Sequence, residues 1–228
     1  MMEDQPLVLI LDLDGVLVDT LPGLKAVFQK FLYIYGGAYS NELFQNFNGK
    51  TVQEIVADLK NRYNYPAQPA DLQKHYLQLM QNVYESAPLM VGALSALSFC
   101  KAWEITVCIA SGSKRSQVKK IIEQFQLQPF IHSVITADEV KRGKPYPDLF
   151  LELKKKFPDQ SRFLVFDDSM HGIQGGEAAG MDLIMVTDVP TNFELIERII
   201  RTLDQENAQI NISIKFIETT LKQDEAMG

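Results

Sequence analysis

Apolar and polar positions fall into two regimes along the chain. Residues 7–13 are almost unbroken aliphatic and β-branched side chains, interrupted only by Asp12 near the end. A run of that length and kind predicts a strand buried on both faces, as in a parallel sheet. Shorter runs recur at 105–110, 134–136, 163–166 and 183–186. Between them the period becomes helical: Leu94, Leu97 and Phe99, then Val118, Ile121, Ile122 and Phe125, then Phe150 and Leu153. Strands alternating with amphipathic helices predict an α/β fold, a doubly wound Rossmann-like parallel sheet.

One block breaks the alternation. From residue 21 to 88 the pattern is helical throughout. Leu24, Val27, Phe28, Phe31 and Leu32 keep helical spacing up to Gly36-Gly37, which ends that helix. Thr51 with Glu54 reads as a capping box opening a helix through Ile55, Val56 and Leu59. A third helix is expected from near Asp71 through Tyr76, Leu77 and Met80 to about Glu85. The expected organisation is therefore a catalytic core of residues 1–20 and 89–228 with an inserted α-helical cap of residues 21–88. Residues 191–201 read as an amphipathic helix, and 210–221 as a short edge strand and helix whose limits the pattern leaves open.

Composition narrows the partners. With 228 residues and 46% hydrophobic content the chain can bury a sizeable core. A net charge of −7 argues against nucleic acid or an anionic membrane as main partner, since both favour basic surfaces. The first residues, MMEDQP, lack the basic start of a signal peptide, and no stretch is long enough to span a bilayer. A cytoplasmic monomer or weak homodimer is expected. Cys100 and Cys108 lie in apolar surroundings and are expected as buried free thiols.

The charges at strand ends carry the chemistry. Asp12 and Asp14 are two apart and would share a face of an extended chain, with Gly15 allowing a sharp turn beyond. Asp167 and Asp168 repeat the arrangement at the end of the fourth strand. Two carboxylates about 4 Å apart repel by about 4 kcal/mol at an effective dielectric near 20, so such a cluster calls for a cation. Oxygen ligands alone suit Mg²⁺ better than zinc. Ser111-Gly112-Ser113 follows a strand and precedes a helix, a ready anion site although serine is also a common cap. Pro145 and Pro147 stiffen the segment that carries Lys144. Gly49-Lys50-Thr51 looks like the end of a P-loop, but Phe44 stands where that motif needs glycine, so nucleotide binding by this loop is rejected.

Residues 12–20, DLDGVLVDT, resemble motif I of the haloacid dehalogenase-like (HAD) superfamily. Ser111 at the end of its strand is similar to motif II, GKPYPDLF to motif III and FDDSMHGIQGGEAAGM to motif IV. The resemblance implies a phosphohydrolase in which Asp12 is the nucleophile, Asp14 the general acid and base, and Lys144 with Ser111 neutralises the transferring phosphoryl. It implies Mg²⁺ held by Asp12, the Asp14 backbone carbonyl, Asp168 and, directly or through water, Asp167. Substrate contacts are expected from Thr20, Lys50, Ser111, Gly112 and Lys144. Asp14 must hold a proton near neutral pH, and crowding by neighbouring acids is the expected cause. His171 occupies no functional position of the family and is expected on the surface.

Within the superfamily, dehalogenases and phosphonoacetaldehyde hydrolases lack an acid at the place of Asp14, which disfavours both. β-Phosphoglucomutases share all four motifs, but their His and Arg positions hold Leu24 and Val52 here. Residues 19–24 look like the opening of phosphoglycolate phosphatases. The expectation is hydrolysis of a small phosphorylated metabolite. A phosphomutase is the first alternative. A non-enzymatic binding module is the second, disfavoured because Asp12 and Lys144 are both present.

Overall fold

The computed structural model describes residues 6–186. Strand β1 (Leu7–Leu11) comes first, followed by helices α1 (Leu21–Tyr35), α2 (Asn41–Phe47), α3 (Val52–Tyr63), α4 (Pro69–Met80) and α5 (Val83–Ser86). The chain then alternates: α6 (Ala93–Ala102), β2 (Thr106–Ser111), α7 (Arg115–Gln124), β3 (Ser133–Thr136), α8 (Asp148–Lys154), β4 (Arg162–Asp167), α9 (Met170–Ala178) and β5 (Asp182–Met185). The strands form a parallel sheet in the order β3-β2-β1-β4-β5.

The apolar run of β1 is explained by cover on both faces. Leu9 and Leu11 pack with Val107, Ile109, Val118, Ile121 and Phe166 on one side. Val8 and Ile10 pack with Cys108, Ala110, Leu149, Phe150 and Leu153 on the other. Alternate residues along one strand thus feed two layers of core, and a polar residue in either set would be buried without water. From β1 the order runs outward to β2 and β3, then returns to the other side for β4 and β5. The reversal leaves a crevice beyond the carboxyl ends of β1 and β4, where ligands of open α/β sheets bind.

Helices α1 to α5 leave and rejoin the sheet at one point. The Asp19 N–H donates to Pro88 O at 2.9 Å, the Met90 N–H to Leu17 O at 2.9 Å, and Val18 bridges Leu89 antiparallel. Inside this insert Phe28 meets the rings of Phe44 and Phe47, each 5.7 Å between centroids. Both halves of the Thr51–Glu54 capping box are formed at α3. Gly36 ends α1 in the left-handed conformation, its N–H donating to Leu32 O.

The details depart from expectation in three places. Strand β1 ends at Leu11 rather than at residue 13, although the Asp12 N–H still donates to Phe166 O at 2.9 Å. Helix α2 was not anticipated; Ser40 caps it, accepting from the Leu43 N–H at 3.0 Å. The expected third helix is broken. Its chain tightens where the Gln81 N–H donates to Gln78 O, and α5 sets off as a separate turn burying Val83 and Tyr84. Both cysteines are buried and free. Among the described residues no helix is long and apolar enough to cross a membrane. The elements expected at 191–201 and 210–221 lie outside the described residues.

Candidate active site

Two strands deliver carboxylates to the crevice. Asp12 follows β1, Asp167 ends β4, and Asp168 comes next. Oxygens of these three carboxylates lie within 4.8 Å of one another. Lys144, on the loop before α8, is only 1% exposed, and its Nζ donates to Asp12 Oδ1 and Asp167 Oδ2 at 2.6 Å each. The other Asp167 oxygen accepts from the Ser169 N–H (2.9 Å) and hydroxyl (2.7 Å). Ser169 in turn caps α9, accepting from the Gly172 N–H at 3.0 Å. A side chain at Gly172 would run into the Asp167 carboxylate. Gly15 adopts φ +76°, and a Cβ there would lie 2.5 Å from Asp168 Oδ2. Both glycines are therefore required by the approach of backbone to carboxylate.

Asp14 points to a different set of partners. Its Oδ1 accepts from the Thr20 hydroxyl at 2.7 Å, and its Oδ2 from the hydroxyls of Ser113 at 2.7 Å and Tyr84 at 3.4 Å. The Tyr84 and Ser113 oxygens are 2.6 Å apart. The Ser113 N–H donates to Ser111 Oγ at 3.0 Å. Asp14 is thus clamped between the turn after β1, the loop after β2 and the last helix of the insert.

Burial sets the electrostatics. It pushes the carboxyl of Asp12 well above the ordinary value; Lys144 opposes this, and Asp167, Asp14 and Asp168 add to it. Burial likewise raises Asp14, against hydrogen bonds from Thr20, Ser113 and Tyr84 and the charge of Lys144. Neighbouring acids are thus not its chief cause, contrary to the expectation from crowding. Asp168 is pushed up to about 7 by burial and by Asp167, with the Asn48 hydrogen bond and Lys144 opposing. Burial works against the charge of Lys144, but Asp12 and Asp167 outweigh it and hold its pKa above the usual lysine value. Three clustered carboxylates, all hard oxygen donors, fit a small divalent cation such as Mg²⁺.

A cavity of about 580 Å³ opens from Asp12 and Asp14 towards the insert. Gly112 and Lys50, both expected to touch substrate, line it. Lys50 is already paired, its Nζ 2.8 Å from Asp58 Oδ2 and 5.1 Å from the centre of the Phe47 ring. Thr20 is fully buried with its hydroxyl on Asp14, and Ser111 is fully buried beneath Ser113. His171 is half-buried rather than on the surface: its Nδ1 lies 2.8 Å from the backbone carbonyl of Asn48. A carbonyl only accepts, so Nδ1 carries the proton. The Asn48 side chain donates to Asp168 Oδ2 at 2.9 Å, which fastens the loop before α3 to the carboxylate cluster. The sequence names Ser113 only within the candidate anion site and gives no hint of its bond to Asp14, of Tyr84, or of the bond from Asn48 to Asp168. Ser113 stands in the small polar stretch after β2; nothing in the pattern tells which carboxylates Tyr84 and Asn48 reach.

A family model described as haloacid dehalogenase-like hydrolase matches residues 9–186. The bifunctional riboflavin kinase/FMN phosphatase of Arabidopsis thaliana is 29% identical over 188 residues, 82% of this chain. This chain spans only 50% of that longer protein. The fructose-1-phosphate phosphatase of Escherichia coli is 28% identical over 183 residues, 78% of this chain and 95% of that one. Among solved structures, the β-phosphoglucomutase of Clostridium difficile superposes with a TM-score of 0.72 over 84% of this chain and 95% of its own. At 19% identity that likeness is one of fold.

Proposed function

The chain belongs to the haloacid dehalogenase-like hydrolase family, and on that premise we propose that it is a Mg²⁺-dependent phosphatase that carries the phosphoryl group of a small metabolite transiently on Asp12. The observation that supports this reading most strongly is the buried ammonium of Lys144, 2.6 Å from both Asp12 and Asp167 at the switch point of the sheet. A lysine buried there at the cost of its hydration is placed to keep a nucleophilic carboxylate charged and to draw in a phosphoryl group.

The proposed reaction has two steps. An oxygen of Asp12 attacks phosphorus as the bond to the leaving oxygen breaks, and Asp14 passes its proton to that oxygen. Asp14 then takes a proton from water as the water oxygen bonds to phosphorus and the Asp12–phosphorus bond breaks, releasing inorganic phosphate. Lys144 neutralises the phosphoryl oxygens. Ser111 accepts from the Ser113 N–H, which leaves its own hydroxyl proton to donate to them. Asp12, Asp168 and the Asp14 backbone carbonyl would hold Mg²⁺, with Asp167 directly or through water. When bound, the ion supplies positive charge against the carboxylates and the transferring group. The helical insert of residues 21–88 serves as the cap over this site, and a small phosphorylated metabolite is the partner.

Hydrolysis is favoured over phosphoryl transfer between sugar positions because the Leu24 and Val52 positions line the cavity with apolar side chains. Neither can bind a second phosphate. Release of phosphate from 4-nitrophenyl phosphate, with Mg²⁺ and with chelator, tests the proposal. The wild type should turn over only with Mg²⁺, and Asp12→Asn should lose at least about 10³-fold while its circular dichroism is unchanged. Full activity of Asp12→Asn would rule the nucleophile out. Formation of glucose 6-phosphate from β-glucose 1-phosphate and its bisphosphate would overturn the choice of hydrolase.

A further inference from the structure

The cavity above the carboxylates has an uneven chemistry. Its floor carries Asp12 and Asp14, and the half-buried side chains that line it on the way out include an apolar set: Leu24, Phe44, Val52, Leu77 and Val140. The polar groups among them are mostly spent. Asn48 donates to Asp168, Tyr84 is bonded to Ser113, Lys50 is paired with Asp58, and Gln117 accepts from the Lys114 N–H. That leaves the amides of Gln53 and Gln73 and the exposed ammonium groups of Lys114 and Lys141 for polar contacts. At about 580 Å³ the space is in the range that encloses a drug-sized ligand.

From this wall we propose, resting on the phosphatase reading above, that the preferred substrate is a phosphate monoester whose leaving alcohol carries a large ring system with an apolar face. Small polyol phosphates are then the poorer class. A three-carbon or sugar alcohol has no apolar face to set against these side chains. It would also leave most of the apolar wall uncovered. A ring system of nucleoside size covers Phe44 and Leu77, gains from leaving water, and presents ring nitrogens or oxygens for Gln53 and Gln73 to meet.

The test is a comparison of kcat/KM on the whole chain with Mg²⁺. Glycerol 3-phosphate and fructose 1-phosphate represent polyols; a nucleoside 5′-monophosphate and riboflavin 5′-phosphate represent ring systems; 4-nitrophenyl phosphate serves as the generic ester. The expected result is at least one ring phosphate about 100-fold better than either polyol phosphate, the factor that burying apolar surface equal to about one Phe side chain implies. Phe44→Ala and Leu77→Gln should each cut that ratio about 10-fold or more. Turnover of 4-nitrophenyl phosphate with polyol phosphates equal to or better than every ring phosphate overturns the substrate class and leaves the phosphatase standing. No turnover of 4-nitrophenyl phosphate overturns the phosphatase reading, and this inference with it.

Discussion

A carboxyl group that hands a proton to a departing alkoxide needs a raised proton affinity and a fixed direction. Burial supplies the first at Asp14. Thr20, Ser113 and Tyr84 supply the second, at some cost to the first, because hydroxyls donating to the carboxylate favour its charged form. Removing Ser113 or Tyr84 as donors should therefore harm direction more than proton affinity. Ser113→Ala and Tyr84→Phe should lower kcat/KM about 10-fold for an alkyl phosphate, whose leaving oxygen needs the proton, and clearly less for 4-nitrophenyl phosphate. Equal losses on both esters would mark the two residues as structural only. Asp12, Asp14, Asp167 and Asp168 were legible in the sequence because charge at the end of an apolar run is conspicuous, and Lys144 because Pro145 and Pro147 stiffen the segment just after it. The bonds of Tyr84 to Asp14 and of Asn48 to Asp168 were not, since hydrophobic periodicity reports which face is buried and says nothing of what a polar tip reaches in another part of the chain.

At the scale of elements, the N-terminus of α9 joins fold to chemistry. Ser169 caps the helix and holds Asp167 at the same time, and Gly172 leaves the room that the carboxylate fills. Gly172→Ala should displace Asp167 or the helix start, lowering stability by about 1–3 kcal/mol and phosphatase activity much further. Thermal melts and initial rates on the purified variant check this. Thr51→Ala removes one half of the α3 capping box, and about 1 kcal/mol of stability should go with it. The strands and the longer helices were readable from periodicity alone. Helix α2 spans two turns, too short for a period to show, and the break between α4 and α5 lies at Gln81 and Asn82, which carry no glycine or proline to signal it.

For the whole molecule, the clustered acids couple stability to pH and, on the proposed reading, to Mg²⁺. In metal-free protein Asp168 titrates near 7 when folded, against an ordinary value of 3.8. Between those limits the folded state holds more protons than the unfolded one, so this contribution is complete below about pH 4 and is lost as pH rises through about 7. The melting temperature with chelator should fall from pH 5 to pH 8, and Mg²⁺, if the deprotonated acids hold it as proposed, should raise it more at pH 8 than at pH 5. Doubly wound architecture and the place of the site at the strand reversal could both be read from the alternation of elements, whereas the lining of the cavity depends on how the insert folds over the sheet. All of this presumes that phosphorus bonds to Asp12 during turnover. Acid quench of a single turnover, followed by peptide mass spectrometry, should find one phosphoryl group on the peptide carrying Asp12 and none in Asp12→Asn. Rapid phosphate release with that peptide unmodified at every time point, or with the group on another residue, would contradict it.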